Sequence, residues 1–152
     1  MKNLLLLFLV ALPIVCFCQD DPVKERIKNM KFEGKPKKII INFPDSVDVH
    51  KVMSIALVRN GAPITNSDAS IGMITTDYFT GSYSNKIRQN CLVFIEGKKA
   101  TVTGRYYVKE QLYDMVLEGD AQAESLGTSV YRNAFYNLIY VFRDYIDKMT
   151  FE

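Results

Sequence analysis

From Val130 to Met149 the residues Tyr131, Phe135, Leu138, Ile139, Phe142, Ile146 and Met149 fall on one stripe of a helix. At 1.5 Å per residue such a helix is about 30 Å long. An oily side of that length must be covered along its whole run, and it is long enough to cross a small β-sheet. Thr128 and Ser129, behind Gly127, are the expected caps at its start. A shorter stripe precedes it: Val49, Val52, Met53, Ala56 and Leu57, with Asp48, Lys51, Ser54 and Arg59 turned away. Asp45 and Ser46 are its candidate N-caps. Asn60-Gly61, then Pro63, mark its end, since glycine takes the left-handed position and proline stops re-entry.

Between and before these stripes lie strand signals. Ile39 to Phe43 is a β-branched run closed by Pro44. Residues 63–66 read as a short strand and 71–79 as a longer one. Cys91 to Ile95 is apolar on both faces, which predicts a central strand. Glu96-Gly97-Lys98-Lys99 reads as a two-residue hairpin, and residues 101–108 return with alternating polarity. Residues 80–90 form a polar connection. Residues 109–125 carry five acids against one lysine, and Leu112 to Leu117 reads equally as strand or helical turn. The order predicts an α+β fold, β-α-β-β-β-β-α, with one antiparallel sheet and two helices packed on one face.

That leaves the other face of the sheet open. If Val102, Tyr106 and Val108 face the helices, then Thr101, Thr103, Arg105 and Tyr107 face outward. Leu92 and Phe94 alternate with Val93 and Ile95, so the outer face is not cleanly polar. An apolar open face calls for a partner chain, a ligand or cover from elsewhere in the chain.

Asn66-Ser67-Asp68 invites a metal-site reading, but a calcium loop needs several oxygen ligands at set spacing. Asp68 stands alone until Asp77, and Asn, Ser and Asp together favour a turn. Gly72, just beyond, marks a bulge or a close approach of two backbones.

The chain opens on Lys2 and an apolar run from Leu4 to Val15, broken by Pro13 and followed by small residues. That pattern predicts a signal peptide over residues 1–18, cleaved before Gln19. The alternative is acylation, with Cys18 as the candidate lipidation site; Phe17 stands where a small residue is normal, while Asp20-Asp21 resemble a surface-export signal. Residues 19–37, polar and charge-dense, are expected as a flexible N-terminal segment, and 38–152 as a single α+β domain. Beyond the leader only Cys91 remains, which permits no internal disulfide, so packing must supply stability. The chain has 19 basic against 17 acidic residues, a balance that argues against nucleic acid as a partner.

The stretch Val52 to Asp77, VMSIALVRNGAPITNSDASIGMITTD, runs as amphipathic helix, glycine stop, short strand, aspartate turn, then G-x-I-x-T. It resembles the repeated unit of bacterial envelope lipoproteins of the BamC type, and uncharacterised secreted families with a TATA-binding-protein-like fold. The element order over about 110 residues resembles the helix-grip and TATA-binding-protein-like folds. The resemblance implies a noncatalytic envelope module, with one such unit here rather than two, and carries over no active-site residues.

His50, the one histidine, has no ligand or acid at helical spacing and reads as a surface residue. Cys91 sits inside an apolar strand and reads as a buried thiol. No Walker loop, G-x-G-x-x-G, H-E-x-x-H or G-x-S-x-G is present, and no cofactor or metal is expected. On the last helix Arg132, Tyr136, Tyr140 and Arg143 lie opposite the core stripe and are the candidate interface, being residue types enriched at protein contacts. The leading expectation is a noncatalytic secreted or periplasmic envelope protein acting as a protein–protein binding and scaffolding module, with an envelope protein as partner and membrane contact only through lipidation. The alternative is a carrier of a small apolar ligand in a cavity between the long helix and the sheet, lined by Tyr131, Phe135 and Phe142.

Overall fold

The computed structural model of the protein describes residues 21–32, 34–85, 87–108, 111–114 and 127–152. The expected leader, with Cys18, and most of the acidic stretch lie outside the described residues. The chain runs α1 (Pro22–Lys28), β1 (Ile39–Asn42), α2 (Val49–Arg59), β2 (Ile64–Asp68), β3 (Met73–Thr76), β4 (Phe79–Thr80), β5 (Arg88–Gln89), β6 (Leu92–Glu96), β7 (Lys99–Thr103), β8 (Arg105–Val108), β9 (Gln111–Asp114), α3 (Gly127–Val141), a 3₁₀ segment (Arg143–Lys148) and β10 (Met149–Phe151). It is an α+β fold built on antiparallel pairing.

Six strands form a sheet in the order β10-β1-β7-β6-β3-β2, and four form a second in the order β4-β5-β8-β9. The two are joined along three chains. β3 leads into β4, β5 into β6 and β7 into β8, each across one or two residues. Hydrogen bonds bridge the bend: Thr76 N–H to the Cys91 carbonyl at 3.0 Å and Asn90 N–H to the Arg105 carbonyl at 2.9 Å. A side chain at Gly104 would put its Cβ 2.2 Å from the Asn90 carbonyl oxygen, so the bend closes only on glycine. The result is a curled meander.

Ile39, Ile41, Ile74, Val93, Ala100 and Val102 line its inner face and are fully buried. They share one apolar core with Val49, Met53, Ala56 and Leu57 of α2 and with Phe135, Leu138, Ile139 and Phe142. The ends of the two long helices meet directly: the Asn60 side-chain amide donates to the Ala56 carbonyl at 2.8 Å and to the Val141 carbonyl at 2.9 Å. β6 lies between β7 and β3, the interior position its two apolar faces require.

Local chemistry explains the ends of α2. Its N-cap is Asp48, whose carboxylate accepts the Lys51 N–H at 3.1 Å, rather than Asp45 or Ser46. Asn60 closes it, and Gly61 follows at φ 72°. Gly97-Lys98 is the hairpin loop, with Glu96 paired to Lys99.

Three expectations are corrected. The segment expected to be flexible over 19–37 contains α1, capped by Asp21 through the Val23 N–H at 3.0 Å, with Ile27 fully buried. Val23, Ile27, Met30 and Phe32 supply the apolar side that its interleaved charges obscure; Ile27, fully buried, contributes roughly 1.5–3 kcal/mol and the three partly buried side chains less, which offsets part of the cost of ordering the segment. The long helix does not run to Met149: it ends at Val141, passes through a 3₁₀ segment with Tyr145 outside helical geometry, and gives way to β10. β10 pairs with β1, Ile40 opposite Thr150, so the last residues extend the sheet. The Asn66-Ser67-Asp68 stretch is strand β2, and the turn comes after it: Asp68 accepts from the Ser70 N–H at 2.9 Å and the Ser70 hydroxyl at 2.6 Å. Those bonds, the hydroxyl's foremost, hold the Asp68 carboxyl below the usual carboxylate range. Asp68 thus serves the turn, one step later than its sequence neighbours suggest.

Candidate functional site

The outer face of the six-stranded sheet is left uncovered where it meets the bend, and a groove of about 550 Å³ lies there. Alternation along β6 sends Val93 to the core and Leu92 and Phe94 outward. Leu92 is half-buried and Phe94 is 43% exposed. Thr75 of β3 and Thr101 of β7 stand beside them, since Leu92 pairs with Thr75 and Phe94 with Thr101. Asn90, Thr103, Gly104 and Arg105 form the end at the bend, and Lys38 adds a second cation. Among the described residues lining the groove none is acidic.

The groove is held by polar bonds that use up its backbone. The Asn90 side chain accepts the Arg105 N–H at 2.8 Å, and the Thr76 hydroxyl accepts the Cys91 N–H at 2.8 Å. Cys91 contributes only wall: its residue surface is fully buried, and burial pushes its thiol far above the ordinary range. A thiol so placed cannot act as a nucleophile. Arg105 and Tyr107 face outward as expected, Tyr107 packing on Tyr78 with ring centroids 4.5 Å apart. Thr103 also lies on the outer side, opposite Leu92, but is not exposed. It is buried, and its hydroxyl donates to the Lys37 carbonyl at 3.4 Å, because the bend at Gly104 and the chain entering β1 close over it.

The candidate interface on the last helix is corrected. Tyr136 is buried, packed against Phe32 and Tyr83 with ring centroids 5.9 and 5.1 Å away. Tyr140 donates its hydroxyl to Asp21, with Lys24 and Arg143 over its ring at 5.6 and 4.5 Å. Arg143 donates to the Asn60 side-chain oxygen and to the Tyr140 carbonyl at 3.0 Å. Only Arg132 of the four is exposed. The cause is α1 and the residues after it, which cover this face within the same chain; α1 is tied further by an Arg26–Asp147 ion pair.

The layer beneath α3 is filled. Phe135, Leu138, Ile139 and Phe142 are each at most 1% exposed. Asn137, which sequence periodicity did not single out, is fully buried there and clamps the 81–84 loop, accepting the Ser84 N–H at 2.8 Å and donating to the Ser84 carbonyl at 3.1 Å. His50 is half-buried, with Nε2 3.3 Å from the Ser67 hydroxyl. Among the described residues no group of three His, Cys, Asp or Glu side chains is placed to hold a metal ion. Among them, too, no helix is long and apolar enough to cross a membrane.

Compared with known proteins, the chain matches no protein-family model and no curated sequence.

Proposed function

We propose that the protein is a noncatalytic binding module, secreted or periplasmic, that takes an extended segment of an envelope partner protein into the groove on its open sheet face. The observation that carries this reading is the part-exposed apolar floor of that groove, Leu92 and Phe94, on the side of the sheet opposite the buried core. Charge selects the occupant. Lys38 stands exposed at one end of the groove, which favours a segment carrying apolar side chains and a carboxylate. The threonines beside the floor suit an extended backbone laid along the strands. The carrier reading as first drawn has less support, since two of the three side chains named for its cavity, Phe135 and Phe142, are fully packed and Tyr131 alone is part-exposed. The leader-like N-terminus supports export, and an outer-membrane lipoprotein anchored at Cys18 is the other form this reading takes.

The test uses two labelled ten-residue peptides, one alternating Val with Glu and one alternating Val with Lys. The mature protein is expected to bind the acidic peptide and to bind the basic one at least about tenfold more weakly. Phe94→Ser, at an exposed position, is expected to keep the melting temperature and lose that preference. Equal binding of both peptides, or unchanged binding by Phe94→Ser, would overturn the reading. Mass spectrometry of the mature N-terminus decides between cleavage before Gln19 and acylation of Cys18.

A further inference from the structure

A second groove, of about 380 Å³, lies between residues 30–36 and the first turns of α3. Its walls are Met30, Phe32, Pro36, Tyr131 and Phe135. The rings of Tyr131 and Phe135 are parallel, 9° apart with centroids at 6.3 Å, and Phe32 meets Phe135 edge-on at 5.6 Å. The Tyr131 hydroxyl donates to the Pro36 carbonyl, which ties one wall to the other and leaves the ring face as the surface on offer. Three cations stand at the opening, Lys31, Lys35 and Arg132, all exposed. Among the described residues that line the groove none is acidic.

An aromatic floor beneath a cationic rim fits one ligand chemistry, an apolar body that carries a single anionic group. We infer that this groove binds a small anionic amphiphile, a carboxylate on a short acyl chain or on an aromatic ring. The body lies against the part-exposed Met30, Phe32 and Tyr131, and the carboxylate takes charge-assisted hydrogen bonds from Arg132 and the two lysines. The volume sits at the lower end of the range for small-molecule sites, which restricts the ligand to one chain or one ring system. This inference is independent of the sheet groove. It assigns a role to Arg132, the one member of the tyrosine-arginine face that α1 leaves open.

The experiment titrates the mature protein with decanoate below its micellar concentration, with decan-1-ol as the neutral counterpart, followed by calorimetry. Decanoate is expected to saturate one site and decanol to bind at least about tenfold more weakly. Arg132→Gln is expected to weaken decanoate severalfold, and the triple charge reversal Lys31→Glu, Lys35→Glu, Arg132→Glu to remove the binding. If the triple variant fails to fold, Arg132→Gln alone decides. Equal affinity for acid and alcohol, or decanoate binding untouched by Arg132→Gln, overturns the inference. So does binding to phosphatidylglycerol vesicles without binding to soluble decanoate, which would make the cations a membrane-facing patch instead of a ligand rim.

Discussion

The Tyr140 hydroxyl donates a hydrogen bond to the Asp21 carboxylate and so ties the start of α1 to α3 across 119 residues of chain. Asp21 also caps α1 through Val23. The Tyr140 bond foremost, with backbone bonds and Lys24 behind it, holds Asp21 below the usual carboxylate range, and the same bond raises the Tyr140 phenol. The sign of the linkage follows. A carboxyl depressed in the folded state stabilises fully above the ordinary aspartate range and loses that contribution as pH falls through the folded value. Acidification is therefore expected to release α1 first. Hydrogen exchange of the Ile27 amide should quicken as pH drops below the ordinary aspartate range, after correction for intrinsic rates. Tyr140→Phe should show that loosening already at neutral pH and a weaker acid dependence, the remainder belonging to the Asp21 cap and the Arg26–Asp147 pair.

Gly72 and Gly61 separate two costs of a side chain. Both have positive φ, 64° and 72°. A Cβ at Gly61 meets nothing within 4 Å, whereas at Gly72 it would lie 2.2 Å from the Ile95 carbonyl oxygen. That approach is the one the sequence suggested for Gly72, and the Gly72 carbonyl accepts the Ile95 N–H at 2.7 Å across it. Gly61→Ala should cost about 1–2 kcal/mol, the penalty of left-handed backbone alone. Gly72→Ala should cost about 3 kcal/mol or more, because the β3–β6 pairing has to shift as well. Urea denaturation of both variants measures the difference, and equal losses would show that the strand pair yields freely.

Cys91 offers a check on where the sheet groove ends. Its backbone lines the groove but its surface is fully buried, and burial raises its thiol. The native protein is expected to resist a thiol reagent at pH 8 and to react once unfolded, since the thiolate is the reactive species. Prompt labelling of the native protein would mean that the groove opens through to the core.

Much of this was legible in the sequence, and the larger misses share a cause. The stripe through Val49, Met53, Ala56 and Leu57 and the one through Phe135, Leu138, Ile139 and Phe142 are local periodicities, and both are buried as read. The outward pair Leu92 and Phe94 followed from alternation along one strand. α1 was missed because Val23, Ile27 and Met30 keep helical spacing within a run of charges, and only α3 gives them something to cover. The tyrosine face of the long helix was misread for the complementary reason, since what buries Tyr136 comes from Phe32 and Tyr83, far off in sequence. Thr103 keeps its outward side, opposite Leu92, but the chain entering β1 covers it, and β10 was absorbed into the stripe because Met149 falls in its phase. These misses lie where a contact of long sequence separation overrides a local pattern, whereas the Asp68 turn and the Asp48 cap were misplaced by only two or three residues.

Gln89 is the one buried side chain whose polar atoms find no hydrogen-bond partner among the described residues. It is fully buried on β5, opposite Phe79 on one neighbouring strand and Tyr106 on the other, both buried. An amide taken from water without replacement bonds costs roughly 1–3 kcal/mol. Leucine is close to glutamine in length and has nothing to satisfy. Gln89→Leu is therefore expected to raise stability by about 1–2 kcal/mol, read as a higher urea midpoint at unchanged slope. Gln89→Glu should do the opposite, and with a pH signature. Burial raises the carboxyl in the folded state, so the protonated form is tolerated in acid and the destabilisation grows as pH rises through the ordinary glutamate range. A loss of stability in Gln89→Leu would mean that the amide is engaged after all, by an internal water or a bound group, and would place a polar site inside the four-stranded end of the sheet.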